Sequence, residues 1–262
     1  MMLVLAALAG AVASSHGLDE AAHALAAGRP EQARQMIAVA VEQGASGPQV
    51  DRLLADLAFV REDWPRAVAG YEALLLPSPN DPHLLENAGI AALHADELGK
   101  ANAYLAKATA RGNAGWRAWN ARGVVADRQH DWATADRAYS RAALLAPKNA
   151  KVLNNRGWSL LLRGEWGAAV DPLARAAKLA PADRRIAANL DLARSAVAAS
   201  LPARRSGESG EDYADRLNDA GVTALRQGDR ARAVAAFAQA LDASDHWFAR
   251  AANNLAVVES SQ

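Results

Sequence analysis

Residues 119–149 read WNARGVVADRQHDWATADRAYSRAALLAPKN, and residues 153–183 read LNNRGWSLLLRGEWGAAVDPLARAAKLAPAD. Shifted by 34 residues, Gly123 falls on Gly157, Trp132 on Trp166, Ala135 on Ala169, Ala142 on Ala176 and Pro147 on Pro181. Matches of this kind at one offset mark an internal repeat, and a period between about 20 and 50 residues is the signature of a stacked array. Working back from Gly123, the same step meets Gly89 with Ala101, Leu105 and Ala108. It then meets Ala55 with Trp64, Ala67, Tyr71 and Pro79, and finally Ala21 with Gly28, Ala33, Ile37 and Ala40.

The composition suits helices. The 262 residues are 51% hydrophobic but only 5% aromatic, and alanine supplies most of the apolar count. Alanine loses no side-chain entropy in a helix. Lys and Arg total 29, as do Asp and Glu, so the formal charge is zero and no global field draws the chain to nucleic acid. The absence of cysteine excludes disulfides, thiolate metal sites and a cysteine nucleophile.

The repeated residues resemble the tetratricopeptide repeat family. Its pattern combines small residues at the places of Gly123, Ala135 and Ala142 with an aromatic at Trp132, a large side chain at Tyr139 and a proline at Pro147. The resemblance implies an all-α fold, a right-handed α-solenoid of antiparallel helix pairs, A and B. It implies units at 14–47, 48–81, 82–115, 116–149 and 150–183, and a further unit at 214–247. Small residues let the two helices approach closely, and the aromatic fills the wedge between units, which assigns Trp64, Trp132 and Trp166 to packing. Turns are expected at Gly28-Arg29-Pro30, Glu62-Asp63, Arg163-Gly164-Glu165 and Gln227-Gly228-Asp229. A single unit cannot bury its own apolar face, so stability comes from stacking.

The register breaks once. Residues 184–200 read as a helix A with Ile186, Leu190 and Ala193 on one face, but no helix B follows. The linker LPARRSGESG at 201–210 comes instead, either a hinge or a surface insertion. Residues 248–262 are expected to supply a capping helix and tail. At the other end, 1–13 (MMLVLAALAGAVA) is an apolar run too short to span a bilayer. It reads as a signal-like segment ending in Ala11-Val12-Ala13, or as an N-terminal helix. The first reading places the protein in the periplasm or cell envelope, the second in the cytoplasm.

No catalytic constellation is visible. The six histidines form no metal-binding spacing, and SGESG at 206–210 lacks the strand-turn-helix context of a nucleophile elbow. No phosphate-binding glycine loop occurs. The chain is therefore read as a non-enzyme without cofactor or metal.

In the family the A helices line a concave groove that holds an extended peptide. That resemblance points to Asn87, Asn155 and Asn189, equivalently placed asparagines able both to donate to and to accept from a peptide backbone. Asn253 is placed likewise, whereas Asp19, Leu53, Ala121 and Asp219 depart from the pattern. Arg117, Asn120, Lys151, Asn154 and Arg185 form a neighbouring polar group resembling part of a carboxylate clamp, which stays incomplete because Val124 and Trp158 stand where it would place asparagine. Trp158 either stacks on a bound side chain or packs on the adjacent A helix. The implied partner is a protein or peptide, not nucleic acid, with oligomerisation open. A finer resemblance is to accessory proteins of tight-adherence (Flp) pilus assembly, carried by the alanine-rich units and by LAPADRRIAANLDLA at 179–193. Those are typically lipoproteins, and this chain lacks the cysteine that lipid attachment requires. A self-associating scaffold or co-chaperone is the alternative.

Overall fold

Proline or an aspartate or asparagine cap opens many of the helices of this protein. Its structure, a computed structural model, describes residues 16–110, 113–205, 207–244 and 246–260. The apolar run 1–13 lies outside them. The chain forms two compact units, one ending at Arg141 and the other starting at Ala142.

The first unit holds α1 (16–26), α2 (Pro30–Glu42), α3 (Pro48–Val60), α4 (Trp64–Leu75), α5 (Pro82–His94), α6 (Leu98–Ala110) and α7 (Trp116–Arg128). The division falls within α8 (Trp132–Leu145). The second unit continues with α9 (Ala150–Leu162), α10 (Trp166–Leu179), α11 (Arg184–Ala199), α12 (Gly210–Arg226), α13 (Arg230–Ala243) and α14 (Ala249–Ser260). Among the described residues there is no strand. Helix starts at Pro48, Pro82, Trp116, Ala150 and Arg184 recur every 34 residues, and so do those at Pro30, Trp64, Leu98, Trp132 and Trp166.

The sequence explains these boundaries locally. Asp81, Asn149 and Asp183 cap α5, α9 and α11, each side chain accepting from backbone N–H groups of the first turn. Such caps satisfy donors that the helix cannot. At the A-to-B turns the chain reverses through one residue in the left-handed conformation. Gly28, Gly164 and Gly228 take it without strain, whereas Glu62, Asp96 and His130 adopt it with φ of 60°, 61° and 56°. In each of these turns the next N–H bonds to the carbonyl five residues back, as in Asp63 to Ala58 and Asp131 to Ala126, both 2.9 Å.

Close approach within four of the pairs comes from one recurrent contact. A Cβ built on Gly157 would lie 2.4 Å from Leu173 Cγ; on Gly123 it would lie 2.6 Å from the Tyr139 ring. Gly89 meets Leu105 and Gly221 meets Phe237 in the same way. The large residue is fully buried in each case. The absent side chain on helix A is thus the socket for a bulky one on helix B.

The second unit resolves the interrupted register. Helix α11 packs on α10 and α9, and α13 reaches back to pack on α11 and α10 while pairing with α12 and α14. The segment between α11 and α12 is tied down. Glu208 takes two bonds from Arg216, at 2.6 and 2.8 Å, and Leu201 is buried among Tyr213, Leu217 and Ala240. The Arg216 guanidinium, helped by the Arg205 backbone N–H, holds the Glu208 carboxyl down at about 2.

Candidate functional site

The A helices place the predicted site residues in two groups, one in each unit. In the first unit, α5 carries Asn87 and α7 carries Arg117 and Asn120. Asn87 Nδ2 donates to the Tyr71 hydroxyl at 3.4 Å, and that hydroxyl donates to Asp56 at 2.7 Å. Burial, reinforced by Asp56, raises the Tyr71 pKa well above its ordinary value. Arg117 pairs with Glu86 at 3.4 Å and lies over the Phe59 ring at 5.9 Å. Asn120 is buried. Asn87 and Arg117 therefore already have partners within the protein.

The second unit differs. Asn154 is only 3% exposed, and its Oδ1 accepts from Asn189 Nδ2 at 2.9 Å. The pair joins α9 to α11. The same clasp recurs between α12 and α14, where Asn254 Nδ2 donates to Asn218 Oδ1 at 3.0 Å. Burying an amide is tolerable only when it is hydrogen-bonded, so these asparagines fix the register of adjacent helices. The expectation that Asn120 and Asn154 line an open groove meets this burial. Asn253, expected in the asparagine series, is exposed, and the bond is made by its neighbour Asn254.

Around the Asn154–Asn189 clasp the surface is open. Lys151 and Arg185, equivalent residues on α9 and α11, are exposed and make no ion pair among the described residues. Asn155 is half-buried. About one helical turn beyond the clasp, Trp158 is 41% exposed on α9 and Leu192 48% exposed on α11. Leu162 extends this apolar surface. Sequence reasoning picked out Trp158 but missed Leu192, although the 34-residue offset links them. The arrangement is an apolar strip beside two uncompensated cations, with half-buried Asn155 and Asn189 between.

The framework tryptophans also separate. Trp64 is half-buried, stacked on His94 at 4.4 Å and edge-on to Phe59 at 5.5 Å. Trp132 is half-buried and meets the His130 ring edge-on at 5.3 Å. Trp166, expected to pack in the same way, is 38% exposed. It lines space left open between α10, α11 and α13. Among the described residues no group of three His, Asp or Glu side chains could hold a metal ion, and no helix is long and apolar enough to cross a membrane.

A family model described as tetratricopeptide repeat matches residues 18–84 and 120–184. No curated protein sequence matches the chain. Among solved structures, the chain is similar to TTC0263, a tetratricopeptide repeat protein of Thermus thermophilus. The identity is 17%, the alignment covers 69% of this chain and 98% of that one, and the TM-score is 0.55. It is also similar to PilW, a type IV pilus biogenesis factor, at 16% identity, covering 94% and 98% of the two chains with a TM-score of 0.56. The pilF protein of Pseudomonas aeruginosa matches at 15% identity, covering 97% and 100%, with a TM-score of 0.50. At these identities the likeness is one of fold.

Proposed function

The chain belongs to the tetratricopeptide repeat family, and on that premise we propose that it is a non-catalytic scaffold holding a protein or peptide partner on the A-helix face of α9 and α11. One observation carries this reading: exposed Trp158 and Leu192 stand at equivalent places on adjacent helices, two turns along from Lys151 and Arg185, which make no ion pair among the described residues. Large exposed apolar side chains rimmed by charge mark interaction sites, and aromatic anchors dominate binding energy. The partner segment would present an apolar or aromatic side chain to Trp158 and a carboxylate to Lys151 or Arg185. Asn155 and Asn189 would hold its backbone.

The test is a pull-down from the native cell, with the full chain as bait and partners quantified by mass spectrometry. A chain carrying Trp158→Ala and Lys151→Glu is expected to lose one partner at least tenfold while keeping its circular dichroism. Equal recovery of every partner by both chains would refute the site.

We propose further that the scaffold serves in assembly of a bacterial cell-envelope complex such as a tight-adherence pilus. The resemblance of residues 179–193 and the apolar run 1–13 favour this. Deletion of the gene should abolish surface pilin without lowering total pilin, and cell fractionation should find the protein in the envelope. A deletion strain with normal pili would reject the pilus assignment while leaving the binding face intact.

A further inference from the structure

Helix α11 lacks the B helix that the 34-residue period would place after it. Helix α13 packs in that neighbourhood, against α10 and α11, but not flush. At one point the Asp229 side chain abuts the α10 backbone: a Cβ on Gly167 would stand 2.6 Å from Asp229 Oδ1. Around it a cleft of about 1020 Å³ opens between α10, α11 and α13. Trp166, Val170 and Ala174, one face of α10, line it together with Val197 of α11 and Val234 of α13. In a regular array the next B helix would cover this α10 face.

The charges around the cleft are unevenly compensated. Its carboxylates are engaged: Glu165 pairs with Arg163 at 3.1 Å, Asp171 with Arg175 at 3.8 Å, and Asp229 caps α13 by accepting from the Arg232 backbone N–H at 3.0 Å. Two of its guanidinium groups pair with no carboxylate among the described residues. Arg194 is exposed on α11 and makes no ion pair among the described residues. Arg232 donates from Nη2 to the Ser200 carbonyl at 3.2 Å, while its Nε is shut off from solvent without an acceptor. A guanidinium offers five donors in a planar fork that matches a carboxylate.

We propose that this cleft is a second protein-binding site, distinct from the A-helix face, which takes an acidic amphipathic helix of a partner protein into the place left by the interrupted repeat. The partner's apolar side chains, spaced at i, i+4 and i+7, cover Trp166, Val170 and Val234, and its aspartates or glutamates reach Arg194 and Arg232. The volume stands at the upper end of the roughly 300–1,000 Å³ of small-ligand sites, which suits a helical segment better than a metabolite.

The test is selection of a 16-residue phage-displayed peptide library on the full chain, followed by fluorescence anisotropy with the enriched peptides. Peptides with acidic residues flanking an i, i+4, i+7 apolar pattern are expected. Their affinity should fall at least tenfold on Arg194→Glu and stay unchanged on Trp158→Ala. Arg194 is exposed and without an ion pair, so circular dichroism of that variant should match the parent. Enrichment of peptides without acidic residues, equal affinity for the Arg194→Glu chain, or no enrichment at all would overturn the proposal. Loss of binding only on Trp158→Ala would assign the peptides to the A-helix face and overturn it as well. A concentration-dependent dimer in sedimentation velocity that dissolves on Arg194→Glu would give the cleft to a second copy of this chain, and so also count against it.

Discussion

Replacing Glu62 by glycine should make the protein more stable. Glu62 sits in the turn between α3 and α4 with φ of 60°, a conformation in which its Cβ crowds the backbone. That crowding costs roughly 1–2 kcal/mol for a residue other than glycine. Glycine in turn gives the unfolded chain more freedom, an offset of about 0.4–1 kcal/mol. Little else changes, since Glu62 is exposed and makes no side-chain bond or ion pair among the described residues. The backbone bond from its N–H to the Phe59 carbonyl, 3.1 Å, is kept. The net gain should be about 0.5–1 kcal/mol. The same turn site supplies the reverse experiment at Gly164, φ 78°, where an added Cβ meets nothing closer than 3.9 Å. Gly164→Ala should therefore lose stability through backbone strain alone, by a similar amount. Urea unfolding followed by circular dichroism reads both as shifts of the midpoint at constant slope. Asp96→Gly should gain less than Glu62→Gly, because it also removes the 2.8 Å bond from Arg128. A Glu62→Gly chain that is no more stable than the parent, beside a Gly164→Ala chain that is no less stable, would refute the argument from turn strain.

Other consequences follow from packing and charge. Gly157→Ala should destabilise by about 1–2 kcal/mol, since overpacking costs about 1–3 kcal/mol and helix propensity returns up to about 1; a thermal melt at or above the parent's would contradict the 2.4 Å approach to Leu173. Tyr71 and Tyr139 have pKa values raised by burial and, respectively, by Asp56 and Asp127. Their contribution to stability is fully present below the unfolded tyrosine pKa of about 10 and is lost as pH rises above it. Ultraviolet titration should find both phenols neutral until the fold opens, and early ionisation would argue against their burial. Glu208 has the opposite sign: its depressed pKa of about 2 gives a contribution present above the unfolded value and lost as pH falls towards 2. Glu208→Gln should make the bonds after Arg204 and Arg205 more sensitive to trypsin at neutral pH, and an unchanged cleavage rate would mean that Arg216 does not hold the loop.

Much of this molecule could be read from the chain alone, because a repeat states the same local solution several times. The glycines with their bulky partners, the capping aspartates and the turn residues each act within one helix or between neighbouring helices, and the 34-residue spacing exposes them together. Site residues were less legible. Asn154 and Asn155 are adjacent in sequence and look equally fit to bind a backbone, yet Asn154 is buried in the clasp with Asn189 while Asn155 stays half-exposed. That choice depends on how α11 docks on α9. Trp132 and Trp166 likewise share a place in the repeat, but Trp132 meets the His130 ring while Trp166 lines a cleft.

The all-α fold, the helix pairing and the place where the register fails were legible in the chain, since these rest on periodicity and on contacts between neighbouring elements. Tertiary structure alone decided what the interrupted repeat becomes. The packing of α13 on α10 and α11 is made across the linker, between residues that no local pattern connects. Whether an exposed arginine finds a carboxylate, or a tryptophan a cover, is settled by that docking.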